Sequence, residues 1–281
     1  VTSFIRWGAT GLAFSATGAQ VFLIDTSALT PNNSNLPAAP VSVSAASFSR
    51  GALARDSIAA AFGVNLSSAT QAATTLPLPT TLAGTSVRLR DEADREFSAP
   101  LFFVSPGQIN FLLPAFIQPG QRSISFMGAN GFVFNTSVAV TDVAPGLFAA
   151  DASGQGLAAA VALRVKNDGS QIYEPVVFFD QSQNKFVALP IDLGPDLGSA
   201  SDQVFLILFG TGIRNRSALS TVTARIGGEN AGISYAGPQG MLFGLDQVNA
   251  LLPRSLAGRG EVDINLVVDG LAANPVRVSI R

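Results

Sequence analysis

Cysteine and histidine are both missing from the 281 residues. Their absence removes disulfides, thiol chemistry, imidazole acid–base catalysis and the commonest protein ligands for zinc, copper and iron. Lysine is nearly missing too, with only Lys166 and Lys185, and no basic block occurs anywhere. With a net charge of −2, the chain lacks the electrostatic footprint that nucleic acid or an anionic membrane surface requires. Charged residues make up 13%, against roughly 25% in ordinary soluble domains. No apolar run approaches the ~18 residues of a membrane span. Val1 stands where an initiator methionine would, and no signal peptide precedes it, so the chain reads as a processed product or an excerpt of a longer precursor.

What is present in quantity is apolar: 47% of residues are hydrophobic and mean hydropathy is +0.36. Gly (27) and Pro (16) are plentiful but aperiodic, which fits globular units rather than a collagen-like or disordered chain. The length suits two ordinary domains. An apolar composition with so little charge leaves apolar surface exposed, the mark of a protein that contacts partners or copies of itself.

An internal repeat organises the sequence. Gln108-Ile109-Asn110-Phe111-Leu112-Leu113-Pro114 returns as Gln247-Val248-Asn249-Ala250-Leu251-Leu252-Pro253. In the same order, Asp56-Ser57-Ile58 leading to Phe62-Gly63 parallels Asp202-Gln203-Val204 leading to Phe209-Gly210, and Ser123–Phe126 parallels Glu261–Ile264. The spacing is far too long for a solenoid and indicates duplicated domains.

Inside each copy the local signals are strands. Val262, Ile264, Leu266 and Val268 alternate with more polar neighbours, as do Val276, Val278 and Ile280, the pattern of half-buried strands. Val204 to Phe209 is continuously apolar, which suits a central strand covered on both faces. Asn130-Gly131 and Asp269-Gly270 are strong hairpin turns. The fold class expected is all-β: two tandem immunoglobulin-like antiparallel sandwiches at 41–148 and 149–281, after a Pro/Asn-rich linker at 31–40 and an N-terminal β segment at 1–30. In that segment Ser3 to Arg6, Gly11 to Phe14 and Gln20 to Ile24 look like strands, too few to stand alone.

The blocks Leu101–Phe111 (LFFVSPGQINF), Ala144–Phe148 (APGLF) and Ser153–Gly156 (SGQG) resemble an acidobacterial paralogous C-terminal domain family of exported proteins. The resemblance covers about Val41 to Arg281 and implies Ig-like sandwiches at the ends of secreted proteins, with no assigned activity. The second copy departs from the pattern, carrying Gly244-Leu245-Asp246 where the first has Ser105-Pro106-Gly107. Ile5 to Phe14 followed by Val21 to Ile24 is similar to the last blade of the β-propellers that often precede this domain, and the resemblance implies that the segment is a fragment of such a blade. A lone blade leaves sheet edges free, which makes Phe4, Ile5, Trp7, Leu12, Phe14, Val21, Phe22, Leu23 and Ile24 candidates for self-association by strand addition.

Chemistry is sparse. Asp91, Glu92, Asp94 and Glu96 could offer oxygens to calcium, but Arg88, Arg90 and Arg95 compete for them, and a solvated hairpin tip is the favoured reading. Gly154-Gln155-Gly156-Leu157-Ala158-Ala159 matches a dinucleotide fingerprint out of its βαβ context and reads as a flexible inter-domain turn. Asp168, Asp192 and Asp196 read as turn residues. No histidine or Ser-x-x-Lys arrangement activates a serine, and no carboxylate pair stands out, so no catalytic residue is assigned and no enzyme activity, cofactor or resident metal is expected. Gln108/Asn110 and Gln247/Asn249 share one strand face and are expected to fix register by bonding adjacent backbone. Trp7, Tyr173 and Tyr235 are too few and scattered for a carbohydrate platform. The expectation is an extracellular or cell-surface structural or adhesive module, a filament subunit joined by strand complementation, with a homopolymer or a matrix partner. A carbohydrate- or ligand-binding accessory module and a passive spacer are the rivals.

Overall fold

A computed structural model describes residues 39–281, apart from 130, 132, 199 and 200, together with the backbone of three N-terminal strands. The chain forms two compact units, 1–38 and 39–281. In the first, β1 (Ser3–Trp7), β2 (Gly11–Ala16) and β3 (Gln20–Asp25) make an antiparallel sheet in that order. Its register sets Phe4 opposite Phe14 and Phe14 opposite Phe22. The three strands expected there are present. Of the expected linker, residues 31–38 lie outside the described residues, as does Asn130 of the expected Asn-Gly turn.

The second unit begins with a sandwich built from β4 (Val41–Ser44), β5 (Leu53–Ala54), β6 (Ile58–Phe62), β7 (Gln71–Ala72), β8 (Ser86–Arg90), β9 (Glu96–Ala99), β10 (Leu101–Val104), β11 (Gln108–Leu112), β12 (Gly120–Met127) and β13 (Val133–Thr141). One layer runs β4-β6-β11-β10-β7 and the other β5-β13-β12-β8-β9. All pairs are antiparallel except β5 with β13. The period of two sends Ile109 and Phe111 inward and Gln108 and Asn110 outward. Between the layers Phe111 meets Phe126 edge-on, ring centroids 6.1 Å apart.

The second sandwich comprises β14 (Gly146–Leu147), β15 (Ala160–Val165), β16 (Gln171–Pro175), β17 (Val177–Asp180), β18 (Lys185–Ala188), β19 (Gln203–Thr211), β20 (Val222–Ile226), β21 (Glu229–Pro238), β22 (Asp246–Leu251), β23 (Gly260–Val268), β24 (Leu271–Ala272) and β25 (Val276–Ile280). One layer is β16-β15-β19-β22-β21; the chain then passes within β21 into the other layer, β20-β23, flanked by β24 and β25. Glu229 to Ala231 of β21 pair with β20, while Gly232 to Pro238 pair with β22. In the first sandwich the same path is cut in two: Pro100, which has no N–H for a ladder, separates β9 from β10. Strand β19, the continuous apolar run, lies centrally between β15 and β22 as expected. Asp269 and Gly270, with φ of 49° and 80°, form the expected tight turn after β23.

Each sandwich encloses its own core. Val143 and Leu147 already pack in the second one, so the chain crosses between sandwiches before the boundary at 149 that the sequence suggests. Among the described residues no helix is long and apolar enough to cross a membrane.

Candidate functional site

The polar groups of greatest interest gather where the two sandwiches meet. Asp246 occupies the place that Gly107 holds in the first copy, and its side chain is 0% exposed. A buried carboxylate needs donors or it does not stay charged. Asp246 has three: Oδ2 accepts the backbone N–H groups of Ile213 (2.7 Å) and Arg214 (3.2 Å), and Oδ1 accepts Nε of Arg214 (2.7 Å). Arg214 then reaches across the junction. Its Nη1 donates to Asp56 Oδ2 of the first sandwich at 2.9 Å, and its Nη2 donates to the Leu245 carbonyl at 2.8 Å.

Two neighbours complete the connection. Thr211, at the end of β19, accepts the N–H of Ile58 at 2.9 Å and donates its hydroxyl to the Gly244 carbonyl at 2.7 Å. Asn215 donates its amide to the Arg55 carbonyl at 3.0 Å. Backbones press together here as well. A Cβ on Gly244 would lie 2.6 Å from Ile58 and 2.7 Å from Leu112, and one on Gly212 would lie 2.2 Å from the Ala144 carbonyl oxygen. Both glycines have positive φ, 72° and 77°, so glycine serves backbone conformation and close approach at once.

Burial pushes the Asp246 carboxyl above its ordinary value, against the pull of its N–H donors and of Arg214. Burial alone would lower Arg214, yet Asp246 and Asp56 hold it above the usual arginine value. The arrangement offers no nucleophile paired with a base. It sets an angle: a guanidinium with planar, directional donors, held by one sandwich and gripping a carboxylate of the other.

The carboxylates proposed for calcium lie in and around the β8–β9 hairpin, where arginines take them up. Asp91 pairs with Arg95 (2.7 Å), Asp94 with Arg90 (3.0 Å), Glu96 with Arg88 (2.7 Å) and Arg90 (3.2 Å), and Glu92 with Arg122 (2.9 Å). Among the described residues no group of three His, Cys, Asp or Glu side chains is placed to hold a metal ion. Asp168, Asp192 and Asp196 accept the N–H two residues ahead, the bonding of turn residues. The Gly154–Gly156 segment is a turn leading to antiparallel β15. It is held rather than loose, because Asn274 donates to the Gly154 carbonyl at 2.8 Å. Of the self-association candidates, Phe4, Ile5 and Trp7 lie in β1, Leu12 and Phe14 in β2, and Val21, Phe22, Leu23 and Ile24 in β3.

One expectation needs correction. In each copy the repeated glutamine donates to the repeated asparagine, Gln108 to Asn110 at 2.8 Å and Gln247 to Asn249 at 2.7 Å, instead of bonding adjacent backbone. Side chains two apart on a strand stand side by side, so amide to amide is the shortest reach. Tyr173 and Tyr235, scattered in sequence, share one face of one layer: Tyr173 lies opposite Leu163 and Tyr235 opposite Asn249, and both partners point away from the core.

Sequence reasoning missed Thr211, Arg214 and Asp246. The available signal was the departure of the second copy at Gly244-Leu245-Asp246, where a carboxylate enters a repeat that otherwise holds its pattern.

No family model matches the chain, and no curated protein matches it. Among solved structures the chain is similar to the mixed-linkage glucan utilization locus SGBP-B of Bacteroides ovatus, in complex with a mixed-linkage heptasaccharide, at 11% identity and a TM-score of 0.31. The match covers 82% of this chain and 43% of that one, so this chain spans less than half of that protein's length.

Proposed function

We propose that this chain is an extracellular structural or adhesive module, a stiff pair of sandwiches whose N-terminal strands join one copy to the next. The observation that carries the reading is the junction. Two domains tethered by a flexible linker swing freely; here Arg214, Asp56 and Asp246 tie them by bonds with fixed directions. A unit that transmits force or spans distance needs a joint of that kind. The sheet β1–β3 supports the self-association part of the reading, since β1 and β3 each pair with one strand among the described residues and β2 with two. Assembly by strand addition needs no cofactor.

The test is electron microscopy and multi-angle light scattering of the intact chain beside one lacking residues 1 to 30. Ordered polymers from the intact chain alone are the expected result. Monomers from both chains at high concentration contradict assembly through these strands and leave a spacer or an accessory binding module.

A further inference from the structure

The outer face of layer β16-β15-β19-β22-β21 has a composition unlike a solvated sheet face. Along β15, β19 and β22 the inward residues fill the second core, so Leu163, Phe205, Ile207, Gln247, Asn249 and Leu251 point out. Cross-strand register lines them up: Tyr173 with Leu163, Leu163 with Phe205, Phe205 with Leu251; one row over, Ile207 with Asn249 and Asn249 with Tyr235. Neither row contains a charged residue. A tyrosine stands on each edge strand, 64% exposed at Tyr173 and 37% at Tyr235. Four strand spacings separate those edges, about 19 Å.

From this face we infer a binding site for a neutral polysaccharide chain laid across the strands, Tyr173 and Tyr235 marking its two ends. Pyranose rings present C–H faces that pack on aromatic rings and rims of hydroxyls that need paired donors and acceptors. The face supplies both. Tyrosine gives a flat apolar body with a polar tip; the Tyr235 hydroxyl donates to the Pro238 carbonyl, which leaves its oxygen as an acceptor. Gln247 donates to Asn249, which leaves the Gln247 carbonyl oxygen as an acceptor and the Asn249 amide as a donor, side by side on β22 next to the Tyr235 edge. The two rows themselves carry no charge and so suit an uncharged ligand along their length, while one cation, the Arg216 guanidinium, reaches the rim beside Tyr235 and Gly237. Its reach suits an oligosaccharide rather than a single sugar.

The two copies differ in the way such a role requires. The first sandwich carries the same amide pair, Gln108 and Asn110, but Phe103 sits where Tyr235 does, opposite the asparagine. Nearby on that face, Ile58 and Leu112 are covered by the Gly244 loop. In the second sandwich β15 is followed outward by β16, which brings Tyr173, whereas β4, the counterpart of β15, is itself the edge in the first sandwich and among the described residues no strand carries a tyrosine beyond it. The inference goes beyond the structural reading and stands whether or not the N-terminal strands assemble.

The experiment is affinity electrophoresis of the full chain in gels containing soluble neutral β-glucan, xylan or glucomannan, with polygalacturonate as the charged control. At least one neutral glycan should retard the protein and polygalacturonate should not. Tyr173→Ala and Tyr235→Ala should each weaken binding about tenfold, the scale of an aromatic anchor, with unchanged thermal melts showing that the variants fold. Gln108→Ala in the other sandwich should bind as the parent does. Three results would overturn the inference: no retardation by any of the three neutral glycans, retardation indifferent to the double tyrosine variant, or a dimer by light scattering that the double tyrosine variant abolishes.

Discussion

Asp246 shows how one side chain can decide the relation between two domains. It sits beyond the reach of water, satisfied by Ile213 and Arg214. Such a pair adds little net stability over a well-packed apolar substitute, but removing Asp246 leaves the buried Ile213 and Arg214 N–H groups without their acceptor and Arg214 with Asp56 as its one remaining carboxylate, at a cost of about 3 kcal/mol. Asp246→Ala should therefore lower the melting temperature by on the order of 10 °C, for a unit of this size, measured by circular dichroism. The pH dependence carries its own sign. Burial raises the folded carboxyl above its unfolded value, so between those two values the native state holds more protons than the unfolded one. The contribution of Asp246 is thus full below about pH 4 and declines as pH rises through the folded value. The stability difference between the parent and Asp246→Asn should shrink over that rise and stay flat below it; a difference that grows with pH contradicts the assignment. Asp269 runs the other way, since hydroxyl donors from Thr221 and Ser217 hold it below its ordinary value.

At the scale of the element, the legible parts are those written in local pattern. Strand β23 could be read because Val262, Ile264, Leu266 and Val268 alternate, and β19 because its apolar run is unbroken and closed by Gly210. The joint between layers could not be read, because β21 changes partners midway and nothing local in Glu229 to Pro238 marks the change. The close approach of backbones was hidden for the same reason: a glycine in a sequence does not say what lies against it. Gly212 lies against Ala144, the leading residue of the block that carries the chain from one sandwich to the other. Gly212→Ala should cost more than about 2 kcal/mol in urea unfolding, because the new Cβ meets backbone and the conformation is left-handed. Gly270→Ala, equally left-handed but open to solvent, should cost about 1 kcal/mol. Equal costs at the two positions would show that Ala144 moves aside.

For the whole molecule, the duplicated sandwich was legible from the ordered matches around Gln108 and Gln247, since a repeat of domain length leaves few other architectures. Its consequence was not. Two copies of one fold need not touch, and what joins them includes a residue that differs between copies, Asp246 standing where the first copy has Gly107; elsewhere the copies differ on their outer faces, where Phe103 faces Asn110 and Tyr235 faces Asn249. The chain's individuality rests on those departures rather than on the shared pattern. The central claim is that the two sandwiches behave as one body because Arg214 joins Asp56 to Asp246. Hydrogen-exchange mass spectrometry across a urea series tests it most directly, comparing peptides from β6 and β11 with peptides from β19 and β22. All four strands should share a single midpoint in the parent and split into two separate midpoints in Arg214→Ala. Separate midpoints in the parent, unchanged in the variant, would contradict it.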